Sequence, residues 1–223
     1  MEQNMDLKIK IFADGADSKG MLEMNANPLI KGLTTNPTLM RIAGITDYLS
    51  FAKEILTHIK EKPISFEVFA DENDEMERQA NILGALGRNV NIKIPITNTQ
   101  GVSTKPLVKK LANAGVKLNI TAMMTIAQVK HIAPTLSEGP GGYVSVFAGR
   151  IADTGVDPVP IMSEIVEYLE RFPNIELIWA SPREVLNVVQ ANDIGCHVIT
   201  VTNDLIKKFS KLIIFSKTLP LFL

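Results

Sequence analysis

Val90-Asn91-Ile92-Lys93-Ile94-Pro95-Ile96-Thr97 is the stretch on which the reading of the fold turns. It is short, apolar and β-branched, and turn-forming Gly, Asn and Thr residues flank it, so it reads as a buried β-strand. With a side-chain period of two, Ile92 and Ile94 share one face, and Asn91, Lys93 and Pro95 the other. An ammonium ion is costly to bury, and a buried lysine tends to become neutral. A neutral amine is a nucleophile toward carbonyls and can form a Schiff base. The ordinary alternative is an edge-strand lysine with its stem on the protein and its head in water.

The flanking sequence repeats this theme. Short apolar runs at Ile9–Ala13, Gly32–Asn36, Ile64–Ala70, Val90–Ile96, Lys117–Met123, Tyr143–Gly149, Ile175–Ser181 and His197–Thr202 read as strands. Amphipathic segments between them, at Asp17–Asn25, Asp47–Lys60, Glu72–Leu86, Val102–Ala114, Ile126–Leu136, Pro160–Phe172 and Arg183–Asn192, read as helices, and Asp204–Lys211 follows as an eighth. Thr46 and Asp71 stand where N-caps belong, and Pro158, Pro160 and Pro182 where a first turn tolerates proline. Pro63, Pro134 and Pro173 are expected to stop helices. Eight such units in 223 residues predict an α/β fold, a single-domain (β/α)8 TIM barrel over residues 1–211. An open doubly wound sheet would want a Gly-rich first turn, and Asp14-Gly15-Ala16-Asp17 is not one.

Composition narrows the function. The chain is 46% hydrophobic with a net charge of −1 and no basic block, so neither nucleic acid nor an anionic membrane is an expected partner. A single cysteine, Cys196, excludes an internal disulfide framework, and the N-terminus has no apolar leader pattern; a cytoplasmic protein is the expectation. Residues 212–223 are rich in Leu, Ile and Phe but too short to span a bilayer, and read as a docking tail. His58, His131, His197 and Cys196 are dispersed without metal-ligand spacing, so no metal is expected. Gly139-Pro140-Gly141-Gly142 precedes a strand instead of opening a helix, and reads as a turn rather than a phosphate loop.

A barrel places its chemistry at the C-terminal ends of strands, on inward-facing side chains. With Lys93 inward, those positions carry Asp14, Asn36, Glu67, Asn119, Thr121, Ser145 and Phe147, with Ser181 at the end of the seventh strand and Arg183 just past it. Each has an ordinary explanation alone: Asp14 as a cap, Asn36 in a turn, Glu67 on a half-exposed strand, Arg150 and Arg183 as solvated rim charges. Converging from seven strands around one lysine, where a packed barrel would carry Val, Ile and Leu, they read as an active site. Asp17 reads as a helix cap.

Thr34-Thr35-Asn36-Pro37, Ile92-Lys93-Ile94-Pro95, Asn119-Ile120-Thr121, Ser145-Val146-Phe147-Ala148-Gly149-Arg150 and Ala180-Ser181-Pro182-Arg183, in this order, resemble transaldolase and its relative fructose-6-phosphate aldolase. The resemblance runs from about Ile11 to Ile206. It implies a class I enzyme with no cofactor, acting on sugar phosphates, with Lys93 as the Schiff-base lysine and Asp14 as the acid/base at the cleaved bond. It implies that Glu67 acts with Thr121, through a water, in iminium formation. It implies Asn36, Asn119 and Ser145 as partners of a dihydroxyacetone unit, and Arg150, Ser181 and Arg183 as sugar-phosphate contacts. Free aldolases of this family tend to carry Gln and Tyr where this chain has Glu67 and Phe147, which favours transfer over release. A homo-oligomer is expected, although the tail departs from the family's C-terminal helix. The remaining rival is a catalytically silent barrel that binds a sugar phosphate.

Overall fold

Eight parallel strands, numbered in chain order, close into a barrel in which each pairs with its sequence neighbours and β1 pairs with β8. The computed structural model describes residues 7–209. The strands are β1 (Lys10–Asp14), β2 (Ile30–Thr34), β3 (Ile64–Glu67), β4 (Val90–Pro95), β5 (Leu118–Met123), β6 (Gly142–Val146), β7 (Ile175–Trp179) and β8 (Val198–Thr202). The expected (β/α)8 TIM barrel is therefore what the chain forms. The apolar tail at 212–223 lies outside the described residues, as does the end of the last expected helix, whose residues 203–209 are helical.

The helices are α1 (Ser18–Ala26), α2 (Pro37–Ile42), α3 (Tyr48–His58), α4 (Asn73–Gly84), α5 (Lys105–Asn113), α6 (Ile126–Ser137), α7 (Ala148–Asp153), α8 (Pro158–Leu169) and α9 (Leu186–Asp193). Their apolar spacing explains their seating. In α6, Val129, Ile132, Ala133 and Leu136 fall on one face and are all buried. The outward residues of the strands meet them: Ile92 and Ile94 of β4 are fully buried in this outer core. Each such side chain contributes about 1.5–3 kcal/mol by its removal from water.

Caps fix where helices begin. Asp17 accepts from the Gly20 amide at 2.7 Å, as expected of it, and Thr125 and Gln128 form a reciprocal capping box. Two cap expectations are corrected. Asp47, not Thr46, caps α3 through the Ser50 amide, and Asp71 instead bonds the amide and hydroxyl of Thr99. Pro134 does not stop a helix; it lies inside α6, which runs on to Ser137.

Inside the barrel, Phe12 of β1 occupies the centre with Ile178 and Val198. Its ring fits because β2 carries Gly32 opposite, where a Cβ would lie 2.6 Å from the ring. This apolar plug separates the two mouths of the barrel. The C-terminal mouth carries the polar side chains predicted from the alternation, and also the short helices α2 and α7, which follow β2 and β6 directly.

Candidate active site

Lys93 and Glu67 are register partners on β4 and β3, so their side chains leave adjacent strands on the same inward face. Lys93 Nζ lies 2.9 Å from Glu67 Oε2, and Lys93 as a whole is 9% exposed. The expected buried lysine is thus in place, in direct contact with a carboxylate. Tyr48 of α3 donates from its hydroxyl to the Glu67 carbonyl at 2.9 Å and packs edge-on against Phe66, pinning the end of β3.

Asp14 ends β1, opposite Thr34 in register. Thr34 donates its hydroxyl to Asp14 Oδ1 at 2.8 Å, and the Asn36 amide reaches Oδ2 at 3.4 Å. Asn36 is oriented by its other end: as N-cap of α2, with Pro37 following, it accepts from the Leu39 amide at 3.0 Å. Burial drives the Asp14 carboxyl above its ordinary value, with Glu67 adding to the effect, while Lys93, Thr34 and Asn36 oppose it. Asp14 is therefore a carboxyl that holds its proton more tightly than usual, beside a cation that loosens it.

A hydrogen-bonded chain joins three strands: Ser145 donates to Asn119 Oδ1 at 2.7 Å, and Asn119 Nδ2 donates to Ser65 at 3.1 Å. Thr121 lies above it, where β5 shifts register against β6 and Ala122 takes φ 62°. Thr121 Oγ1 is buried without a hydrogen-bond partner among the described residues. A buried hydroxyl left unpaired is costly, and at this place it is available to a reacting group.

The rim is built from the β6 and β7 ends. The Arg150 guanidinium stacks on Phe147, 4.4 Å from the ring centroid. Ser181 has φ 59°, and its carbonyl packs so close to Gly149 that a Cβ there would lie 1.6 Å away. Ten of the eleven expected site residues line one cavity of about 390 Å³: Asp14, Asn36, Glu67, Lys93, Asn119, Thr121, Ser145, Phe147, Arg150 and Ser181. Arg183 does not. Its Nε bonds Asp153 Oδ1 at 3.0 Å and its Nη2 pairs with the same carboxylate, so it ties the β7 end to α7.

Thr34 and Thr200 also line the cavity, and neither was assigned a role from sequence. Thr34 alternates with Gly32 along β2 as Asp14 does with Phe12 along β1, so period two could have found it. The same holds for Thr200, two residues above Val198 on the inward face of β8. Among the described residues, no three His, Cys, Asp or Glu side chains are grouped as metal ligands. His197 is structural, accepting from the Leu177 amide at 3.1 Å. The arrangement brings together a buried lysine, a carboxylate in contact with it, a second buried carboxyl held above its ordinary value, and a cation at the mouth.

The family described as Transaldolase/Fructose-6-phosphate aldolase matches residues 11–215. The chain is 36% identical over 194 residues to a protein named probable transaldolase from a Thermoanaerobacter species, spanning 86% of this chain and 85% of that one. It is 32% identical over 216 residues to a probable transaldolase from Brucella ovis, spanning 96% and 95%. Among solved structures, dihydrodipicolinate synthase from Rhodopseudomonas palustris superposes with a TM-score of 0.64 at 10% identity, covering 95% of this chain and 77% of that one. Orotidine 5'-monophosphate decarboxylase from Metallosphaera sedula gives 0.58 at 12% identity, covering 94% and 98%. These two likenesses concern the fold alone. No described helix is long and apolar enough to cross a membrane.

Proposed function

The chain belongs to the transaldolase/fructose-6-phosphate aldolase family, and on that premise we propose that it is a class I transaldolase, moving a dihydroxyacetone unit between sugar phosphates through a Schiff base on Lys93. The donor is a ketose phosphate such as fructose 6-phosphate or sedoheptulose 7-phosphate. The acceptor is an aldose phosphate such as erythrose 4-phosphate or glyceraldehyde 3-phosphate. The observation that carries the reading is the buried contact of Lys93 Nζ with Glu67, beside Asp14, a carboxyl that burial holds above its ordinary value.

Glu67 takes a proton from Lys93 Nζ, and the free amine adds to the ketose carbonyl. The carbonyl oxygen leaves as water, with Thr121 Oγ1 placed to orient it, and an iminium forms. The iminium is a fixed positive charge where Lys93 now stands. Like the Lys93 charge it replaces, the iminium opposes the rise that burial imposes on the Asp14 carboxyl. Asp14 then removes the proton of the hydroxyl carried by the far carbon of the bond to be broken. The C–C bond electrons flow into the iminium, an aldehyde departs, and an enamine remains on Lys93. No cofactor is called for, because the iminium is the electron sink.

Asn36, Asn119 and Ser145 hold the enamine's hydroxyl groups, and their hydrogen bonds to Asp14 and Ser65 fix their orientation. Arg150 and Ser181 meet the phosphate at the rim. Arg183 acts at one remove, through Asp153. Phe147 covers the enamine with an apolar ring and brings no hydroxyl that could direct water or a proton to it. Transfer is therefore favoured over release, and free fructose-6-phosphate aldolase activity is the second reading. The complete set Asp14, Glu67, Lys93 and Thr121 speaks against a silent sugar-phosphate binder. Incubation with fructose 6-phosphate, with and without erythrose 4-phosphate, distinguishes the cases. Sedoheptulose 7-phosphate and glyceraldehyde 3-phosphate should appear only with the acceptor, and rapid acceptor-independent release of dihydroxyacetone would make the aldolase reading the better one.

A further inference from the structure

The opposite, N-terminal mouth of the barrel holds a second cavity, of about 460 Å³, larger than the one around Lys93. Its deep polar groups are inward-facing strand residues. Asn91 is two residues below Lys93 on β4, and Tyr143 is two below Ser145 on β6. Asn91 is 4% exposed, and its side-chain amide finds only the Asn89 carbonyl, at 3.5 Å. Tyr143 packs edge-on against Phe12, so the apolar plug closes this cavity off from the active site. Burial, with Glu176 nearby, pushes the Tyr143 hydroxyl up to about 12, which keeps it a donor. A barrel end serving only as core would carry aliphatic side chains at this level.

The walls are cationic. Lys60, Arg88 and Lys117 line the cavity, as do two carboxylates, Glu61 and Glu176. Both carboxylates are already engaged, Glu61 with Arg88 at 3.4 Å and Glu176 with Lys10. Lys117 donates from its ammonium to the Arg88 carbonyl at 2.9 Å. The charges of Lys60 and Lys117 have no carboxylate partner among the described residues. The remaining wall is the glycine turn, Pro140–Gly142, in which Gly141 and Gly142 adopt φ 79° and 142°. Side chains there would collide with the carbonyls of Asn174 and Leu118, at 1.9 and 2.0 Å, so this wall is backbone only.

We propose that this cavity is a second binding site, distinct from the active site, and that it takes a small phosphate-bearing anion. Two lysines without a carboxylate partner and the weakly engaged Asn91 amide suit a tetrahedral dianion better than a single carboxylate. The turn that fails as a helix-opening phosphate loop then has a use as the backbone wall of an anion site on the other face.

Isothermal titration with inorganic phosphate at fixed ionic strength tests this. The Arg150→Gln protein serves as background, because it weakens the phosphate contact proposed at the active-site rim. Binding should persist in Arg150→Gln. Adding Lys60→Gln and Lys117→Gln, both at exposed positions, should weaken it at least about tenfold. Binding abolished by Arg150→Gln alone, binding indifferent to the two lysine changes, or no binding at all would each overturn the proposal.

Discussion

Gly149→Ala probes the joint on which the rim of the active site depends. Gly149 is the second residue of α7, one position before Arg150, and its α-carbon lies under the carbonyl of Ser181. An alanine Cβ would stand 1.6 Å from that oxygen. Carbon and carbonyl oxygen approach to about 3.3–3.6 Å at closest, so the two segments must part by about 1.7 Å or more. No rotamer relieves this, because both atoms belong to the backbone or are fixed to it. Ser181, already at φ 59°, has little room to turn aside. Overpacking of this kind costs about 1–3 kcal/mol, and a backbone clash belongs at the upper end. For a chain of this size, about 3 kcal/mol lowers Tm by about 6–12 °C. A shift of 1 Å or more at Ser181 and Arg150 should also cut kcat/KM for a phosphorylated substrate by about 10²-fold. Calorimetry and steady-state kinetics on purified protein read both effects. Ser181→Gly, which frees the backbone at the second residue, should recover part of the loss when combined with Gly149→Ala. Gly84→Ala is the control: its Cβ meets nothing nearer than 3.8 Å at the end of α4, so it should raise Tm slightly. A Gly149→Ala protein within about 1 °C of the parent, with unchanged kinetics, would refute the close approach.

Three further outcomes are expected. Asp14→Asn should lower turnover by at least about 10²-fold with substrate binding roughly retained. It should also change the dependence of stability on pH. The native Asp14 carboxyl titrates above its ordinary 3.8, so the folded parent holds a proton that the unfolded chain has lost. Parent stability thus falls as pH rises from about 4 through the folded value. The variant lacks that fall and should gain Tm on the parent as pH rises above about 4; a Tm difference independent of pH would count against the buried carboxyl. Phe147→Tyr should increase acceptor-independent release of dihydroxyacetone from fructose 6-phosphate, measured by coupled enzymatic assay. EDTA should leave activity unchanged, because the proposed electrophile is an iminium and no three possible ligands are grouped among the described residues; loss in EDTA restored by a divalent metal would refute the class I assignment.

Much of the site was legible because strand alternation is a strict rule. Once Lys93 is placed inward, Glu67, Asn119, Thr121 and Ser145 follow by pairs of residues, and the cavity gathers them all. The barrel itself followed from eight repeats of one pattern. What escaped lacked either period or length. Helices α2 and α7 span six residues each, too few to display an amphipathic face, yet they position Asn36 and Arg150. The capping of α3 by Asp47 instead of Thr46 is a difference of one residue between two good caps. Pro134 lies inside α6 because Ile132, Ala133 and Leu136 carry its apolar face past the proline and outweigh the lost backbone bond. The pairing of Arg183 with Asp153 joins residues 30 apart, and nothing local announces it. The close approach of Gly149 to Ser181 likewise depends on how two loops meet.

The central claim is that Lys93 carries the covalent intermediate. Borohydride reduction in the presence of fructose 6-phosphate, followed by proteolysis and mass spectrometry, tests it most directly. The dihydroxyacetone unit should be found attached at Lys93, with Lys93→Met giving no adduct. An unmodified Lys93, or an adduct at Lys105 or Lys117 in its place, would contradict the account.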